Sequence, residues 1–270
     1  MTSMRIDLYT ISWNERRMLP FFLDYYGAWV DRIVVFDDAS DDGTAEALAR
    51  HPKVDLRPFP PKGDSFVLAA LSLWQHAWKE SRGRADWVVV TNVDEFLYHP
   101  AGMRPYLERC RQAGVTMIHP RGYMMVGDAF PPPGSSLVDT LRLGVPVMGH
   151  DKRQVFDPQA VVEMHYGPGR HGCSPEGTIV EPAIVEASLL HYKHVDRHGY
   201  FLPRQRALGQ RMLAHDRASG FGAHYAHPVE VDLHAFEWLK MHATDVVSTA
   251  PGSWRPSGAD TAPRAPAVPS

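Results

Sequence analysis

The chain has 270 residues, 44% hydrophobic and 22% charged, a balance that suits one large globular domain, or two subdomains sharing a sheet, and excludes a disordered or fibrous protein. A formal charge of −3 leaves no basic footprint for nucleic acid, so any bound phosphate requires local cations rather than a global positive field. Cys110 and Cys173 stand far apart in no metal-type spacing, and no apolar run approaches about 18 residues, so a cytoplasmic protein without a membrane span is expected.

In chain order, Arg5 to Thr10 reads as a first strand emptying into the polar loop Ser12-Trp13-Asn14-Glu15. Pro20 suits a helix start, and Leu19, Phe22, Leu23 and Tyr26 recur at helical spacing as packing residues. The first glycine is Gly27, which excludes an early Gly-rich phosphate loop of the dinucleotide or P-loop type. Ile33 to Phe36 is a second buried strand running into Asp37-Asp38-Ala39-Ser40-Asp41-Asp42-Gly43-Thr44. One of these aspartates can accept from a base or ribose hydroxyl; Asp41 and Asp42 read as turn and cap residues for a helix over Ala45 to Arg50.

A third strand over Val54 to Arg57 and an amphipathic helix over Ser65 to Glu80, carrying Leu68, Leu71 and Trp78, precede the central stretch Trp87 to Leu97. That stretch reads as one buried strand with Asn92, Asp94 and Glu95 at its C-terminal edge, where open α/β sheets bind ligands. Strand alternation then places Asn92 and Asp94 on one face and Glu95 on the other, able to hold a divalent cation beside a phosphate; a strand end capped by solvated acids is the alternative. Alternating strands and helices predict an α/β fold with a mainly parallel twisted sheet flanked by helices.

Beyond residue 103 the expected elements are a helix over Arg104 to Ala113, a strand over Val115 to His119 and an irregular segment from Gly122 to Ser136. Lys152 to Phe156 is a short strand whose cations suit phosphate as well as a solvated edge. The Gly- and Pro-dense run from His165 to Gly177 has a specified loop path. Ile184 to Leu190 is a strand ending in His191-Tyr192-Lys193-His194, Tyr200 to His215 a helix whose Arg204, Arg206 and Arg211 form a solvated face, and Leu233 to His242 a last helix. Residues 1–103 are expected to form a nucleotide-sugar-binding half and 104–248 an acceptor-binding half of the same domain. A Pro- and Ala-rich tail over 249–270 cannot bury enough surface to order itself.

The order Trp13-Asn14-Glu15, then Asp37-Asp38-x-Ser40-x-Asp42-Gly43-Thr44, then Asn92-x-Asp94 after a buried strand resembles family 2 and related glycosyltransferases of the A-type fold, over roughly residues 5 to 100. Gly167-Pro168-Gly169-Arg170-His171 is similar to a segment of bacterial family-2-like members. The resemblance implies an inverting glycosyltransferase using a nucleotide-diphosphate sugar, with Ser12, Asn14, Glu15, Asp37, Asp38, Asn92 and Lys193 towards the nucleotide. It further implies Mn2+ or Mg2+ on Asp94, with Asn92 and His191 as further ligands; imidazole favours manganese.

Asn92 departs from the Asp-x-Asp pattern and brings one negative charge fewer. For the base that takes the acceptor proton, His171 comes first, ahead of Glu95 and Glu176, because its intrinsic pKa suits proton transfer near neutrality. Uridine diphosphate is the commonest carrier among the relatives, and the acceptor is open. A non-catalytic sugar-nucleotide-binding protein is the alternative. A zinc hydrolase, prompted by fifteen histidines and His191-x-x-His194, is the more distant one.

Overall fold

The computed structural model describes residues 3–147 and 149–249. Most of the tail expected over 249–270 therefore lies outside the described residues. Four short strands form a parallel array: β1 (Ile6–Ser12), β2 (Arg32–Asp37) and β3 (Val54–Pro58), with β4 (Trp87–Val90) on the other side of β1. Helices α1 (Leu19–Gly27), α2 (Thr44–Ala49) and α3 (Phe66–His76) connect them, as a parallel sheet requires. The Ser65 hydroxyl caps α3 by accepting from the Leu68 amide at 3.0 Å. On α3 the buried residues are Ala70 and Trp74, while Leu68, expected in the core, is 44% exposed.

The central stretch is not one strand. β4 stops at Val90, and β5 (Glu95–Tyr98) begins in a second sheet. Asn92 and Glu95 close a turn between them: Glu95 accepts from the Asn92 amide at 3.2 Å and from its side-chain nitrogen at 3.1 Å, and the Glu95 amide donates to the Asn92 carbonyl at 3.1 Å. Polar side chains thus capture backbone groups that a continuing strand would need.

Helix α4 (Met103–Gln112) leads to β6 (Met117–Ile118) and β7 (Arg121–Gly127), and α5 (Leu137–Thr140) to β8 (Leu143–Pro146) and β9 (Val155–Phe156). The segment expected to be irregular from Gly122 thus opens as a strand, with Tyr123 and Met125 in the core. A hairpin of β10 (Val161–Glu163) and β11 (Glu176–Gly177) follows, then β12 (Ser188–Val195). Helices α6 (Leu202–Gln210), α7 (Ala214–Ala218) and α8 (Val229–His242) and strand β13 (Thr244–Asp245) complete the described chain.

The first sheet has the order β3-β2-β1-β4-β9-β6, with β9 antiparallel to β4, and the second is β13-β8-β7-β12-β5. The fold is α/β with sheets flanked by helices, as expected, and its parallel character is concentrated in the first sheet. Phe22 and Tyr26 of α1 pack against Phe96 of β5, which meets Tyr192 of β12 edge-on at 5.2 Å. Burial of each such ring contributes roughly 2–3 kcal/mol. The Tyr26 hydroxyl, donating to the Glu95 carbonyl at 2.7 Å, fixes the junction between the sheets.

Candidate active site

A cleft of about 750 Å³ opens where the C-terminal ends of β1 and β4 face β12, roofed by α6, α7 and the segment around Tyr225. Its lining carries Lys62, Lys152, Arg170, Lys193, Arg204 and Arg211 against Glu15, Asp94, Asp216 and Asp232, so a chain of net charge −3 concentrates cations here. Such local concentration raises the affinity for anions that the global charge does not favour.

The β4–β5 turn projects Asp94 into the cleft, where its Oδ2 lies 3.1 Å from Nε2 of His191. The Tyr192 amide donates to the Asp94 carbonyl at 2.8 Å, so backbone as well as side chain joins the turn to β12. Burial pushes the Asp94 carboxyl up, but His191 outweighs it and holds the group below its ordinary value. One carboxylate and one imidazole at a single point are a donor pair that fits a divalent cation, the imidazole suiting manganese. Asn92, expected as a further ligand, here has its Oδ1 accepting from Arg170 at 2.7 Å. Among the described residues no group of three His, Cys, Asp or Glu side chains converges, so a cation's remaining positions would be filled by ligand oxygens and water.

Glu95 lies outside the cleft lining and is fully buried between Lys152 at 2.5 Å and Arg170 at 3.2 Å. Burial raises its pKa, yet the two cations hold its carboxyl well below the carboxylate range. It is therefore not placed to accept a proton. Glu176 pairs with His165 at 3.0 Å on the exposed β10–β11 hairpin, away from the cleft, and does not share the site either.

His171 does line the cleft. Its Nδ1 is 2.8 Å from the Gly149 carbonyl, which can only accept, so Nδ1 carries the hydrogen and Nε2 keeps a free lone pair. Burial and then Lys152 lower its pKa, favouring the neutral ring. Gly169, at φ +67°, packs against this ring, where an added Cβ would sit 2.7 Å from Cδ2.

The expected nucleotide contacts divide. Glu15, Asn92 and Lys193 line the cleft, whereas Ser12, Asn14, Asp37 and Asp38 lie behind the lining. Asn14 exchanges both amide groups with Asp41, at 2.7 and 2.9 Å, and Asp37 accepts from the amide and hydroxyl of Ser40. Asp38 is held by Lys62 at 2.6 Å and by Arg211. Glu15 is bound by Arg204, and burial pushes its carboxyl up to about 8 against the pull of that cation. Lys193 is half-buried with its amine over the Tyr225 ring at 5.4 Å, and burial lowers it to about 8.

Arg204 and Arg211 thus point inward rather than forming a solvated face. They sit seven residues apart, about two helical turns, and this spacing was the available signal that they share a side. Lys152 is likewise not on a solvated edge, being 3% exposed. His150 and Arg170 escaped sequence reasoning because neither belongs to a periodic pattern. His194, the partner of His191 in the zinc-like spacing, packs its ring 4.4 Å from Phe201 beyond a bulge in β12.

No protein-family model matches the chain. Over 121 residues it is 31% identical to uncharacterized proteins of Mycobacterium bovis and Mycobacterium tuberculosis; that stretch is 43% of this chain and spans only 30% of their length. Solved structures similar to it include A-type nucleotide-sugar transferases. Mannosyl-3-phosphoglycerate synthase from Rubrobacter xylanophilus is 15% identical, over 58% of this chain and 54% of its own, with a TM-score of 0.34. Glucosyl-3-phosphoglycerate synthase from Mycobacterium tuberculosis, solved with Mn2+, uridine-diphosphate-glucose and phosphoglyceric acid, is 14% identical over 63% of each chain, TM-score 0.36. A 4-diphosphocytidyl-2C-methyl-D-erythritol synthase is 15% identical over 58% of this chain and 77% of its own, TM-score 0.32. No described helix is long and apolar enough to cross a membrane.

Proposed function

We propose that this chain is an inverting glycosyltransferase that moves a sugar from a nucleotide-diphosphate donor to an acceptor hydroxyl. The observation that carries the reading is the Asp94–His191 pair, 3.1 Å apart at the end of β4, set in a cleft whose other charged side chains are mainly cations. The pair suits a divalent cation on a diphosphate, and the surrounding charge suits the diphosphate itself. A bound Mn2+ or Mg2+ would supply Lewis-acid neutralisation of the leaving group.

Lys193, a cleft amine over the Tyr225 ring, is available to the leaving diphosphate as charge develops on it. His171 is the base: its Nδ1–H is anchored on Gly149, its Nε2 is free, and its lowered pKa keeps it neutral and able to accept the acceptor proton. The apolar wall of Phe66, Leu71, Trp74 and Phe221 offers stacking surface for base or acceptor.

The test is thermal stability of the full chain against uridine, guanosine, cytidine and adenosine diphosphates, with and without manganese. A ligand at a hundredfold its Kd stabilises by about 2.7 kcal/mol, or roughly 5–10 °C for a chain of this size. One nucleotide should stabilise with manganese, and Asp94→Ala should abolish the shift. Release of nucleoside diphosphate from the matching donor sugar then separates transferase from binding protein. No shift with any nucleotide at millimolar concentration overturns the reading; binding without turnover leaves the non-catalytic alternative.

A further inference from the structure

At the cleft floor, Lys152 and Arg170 converge on Glu95 beneath them, with side-chain exposures of 3%, 1% and 0%. Two cations on one carboxylate leave the cluster with one net positive charge, which the Asp94 carboxylate offsets only from beyond ion-pair distance. Among the described residues Glu95 is the only carboxylate in ion-pair contact with either cation. An uncompensated buried charge is costly to fold around, and well-packed neutral side chains would be cheaper.

Arg170 is held there against its own backbone preference. It sits at φ +59°, next to Gly169 at φ +67°, and its guanidinium lies 4.7 Å over the Trp74 ring. It donates to the Val90 carbonyl and to Asn92 Oδ1, so it takes up acceptors at the end of β4 and in the turn that follows. The residue that receives it in the cleft wall, Asn92, is neutral; a carboxylate at that position would cancel the surplus charge.

One further observation points to a ligand: the Nδ1 atoms of His150 and His191, both in the cleft lining, are buried without a hydrogen-bond partner.

We infer that the Lys152–Glu95–Arg170 cluster is a fixed counter-charge for a phosphate or diphosphate group in the cleft, and that Asn92 is neutral so that this charge stays uncancelled. The inference rests on the donor reading for the identity of the natural anion, but not for its charge. The cluster acts through its field rather than by direct contact, and it is independent of any divalent cation.

The experiment measures binding of inorganic pyrophosphate, phosphate and uridine diphosphate to the full chain by calorimetry in EDTA, over a salt series. Wild-type protein should bind pyrophosphate more tightly than phosphate, with affinity falling as salt rises. Asn92→Asp should weaken pyrophosphate binding about tenfold, and Lys152→Met should do the same, because each lowers the net charge of the cluster by one unit. Lys152→Arg should retain most of the affinity.

If Asn92 were only a weakened metal ligand, Asn92→Asp would leave EDTA binding unchanged and tighten it with manganese; that result overturns the inference. So does a wild-type chain that binds no anion in EDTA. Near-ultraviolet circular dichroism checks folding, and Lys152→Met carries the test should Asn92→Asp fail to fold. Pyrophosphate binding that responds to both variants, without binding of any nucleotide, supports the counter-charge while the donor reading fails. Nucleotide binding that requires manganese, together with pyrophosphate binding in EDTA that is indifferent to both variants, does the reverse.

Discussion

Nε2 of His191 lies 3.1 Å from Oδ2 of Asp94, although the two residues are 97 positions apart. Neither β4 nor β12 alone makes this pair; the β4–β5 turn and the β12–β5 ladder bring it together, with His191 directly opposite Glu95 in register. His191→Ala and Asp94→Asn should therefore each abolish the manganese-dependent part of nucleoside diphosphate binding, a loss of at least about tenfold or 1.4 kcal/mol. Binding in EDTA should persist in His191→Ala. Titration calorimetry with and without manganese checks this, and an unchanged manganese effect in either variant would remove the pair from the site.

A second contact of long sequence separation ties the helical roof to the first loop. Arg204 of α6 binds Glu15, and its guanidinium also donates to the carbonyls of Trp13 and Asn14 at 3.2 Å. Glu15 is only 6% exposed at its side chain, so removing the cation strands a buried carboxyl. Because burial keeps that carboxyl largely neutral at pH 7, Arg204→Ala should cost about 1–3 kcal/mol for the lost hydrogen bonds, lowering the melting temperature by roughly 3–10 °C. A variant melting within a degree or two of wild type would show that the roof is held by other contacts.

What was legible in the sequence was the scaffold around these contacts. β1 and β2 are short apolar runs, β3 alternates apolar and charged residues up to a Pro, and α1 carries its buried face at helical spacing, so each is locally determined. The break after Val90 was hidden because Val93, Phe96 and Leu97 continue the apolar run, while the groups that turn the chain include Lys152 and Arg170, more than fifty residues away. The same non-locality hid the cationic lining. Asp94, His171 and His191 were legible as candidates because the sequence sets each beside an apolar run or in a Gly-Pro loop, although His191, expected just past a strand over Ile184 to Leu190, lies inside β12. Arg204 and Arg211 look like a surface face until Glu15 and Asp38 are brought beneath them.

Two buried groups with opposite signs should shape the stability curve. The Glu15 carboxyl is raised from 4.5 to about 8, so the folded state binds more protons than the unfolded one in that window, and stability falls as pH rises through it. His150 is lowered from 6.5 to about 3, by burial first and then His191 and Lys152, so its contribution falls as pH drops from 6.5. Their slopes, each at most about 1.4 kcal/mol per pH unit, cancel between 4.5 and 6.5. Glu15→Gln should flatten the decline above pH 6.5, and His150→Asn the decline below 4.5. Melting temperatures across pH 4 to 9 test both, and a variant curve parallel to wild type would reject the corresponding assignment.

Gly169 is where backbone conformation and the proposed base meet. Its φ of +67° disfavours a side chain, and a Cβ there would stand 2.7 Å from Cδ2 and 3.0 Å from Nε2 of His171. The backbone term alone costs an alanine about 1–2 kcal/mol, which such a fold tolerates. The collision is the larger consequence, because the ring is pinned on its other side by the Gly149 carbonyl and can relieve the clash only by breaking that bond. Gly169→Ala should therefore lower kcat by on the order of a hundredfold, the effect of misplacing a reacting group by about 1 Å, while lowering the melting temperature by only a few degrees. His171→Ala should show a comparable loss together with loss of the acid limb of the pH–rate profile, since a base that must be neutral is silenced by protonation. If Gly169→Ala turns over like wild type with His171→Ala inactive, the imidazole tolerates displacement and its present geometry is not the catalytic one; if both are fully active, the base lies elsewhere in the cleft.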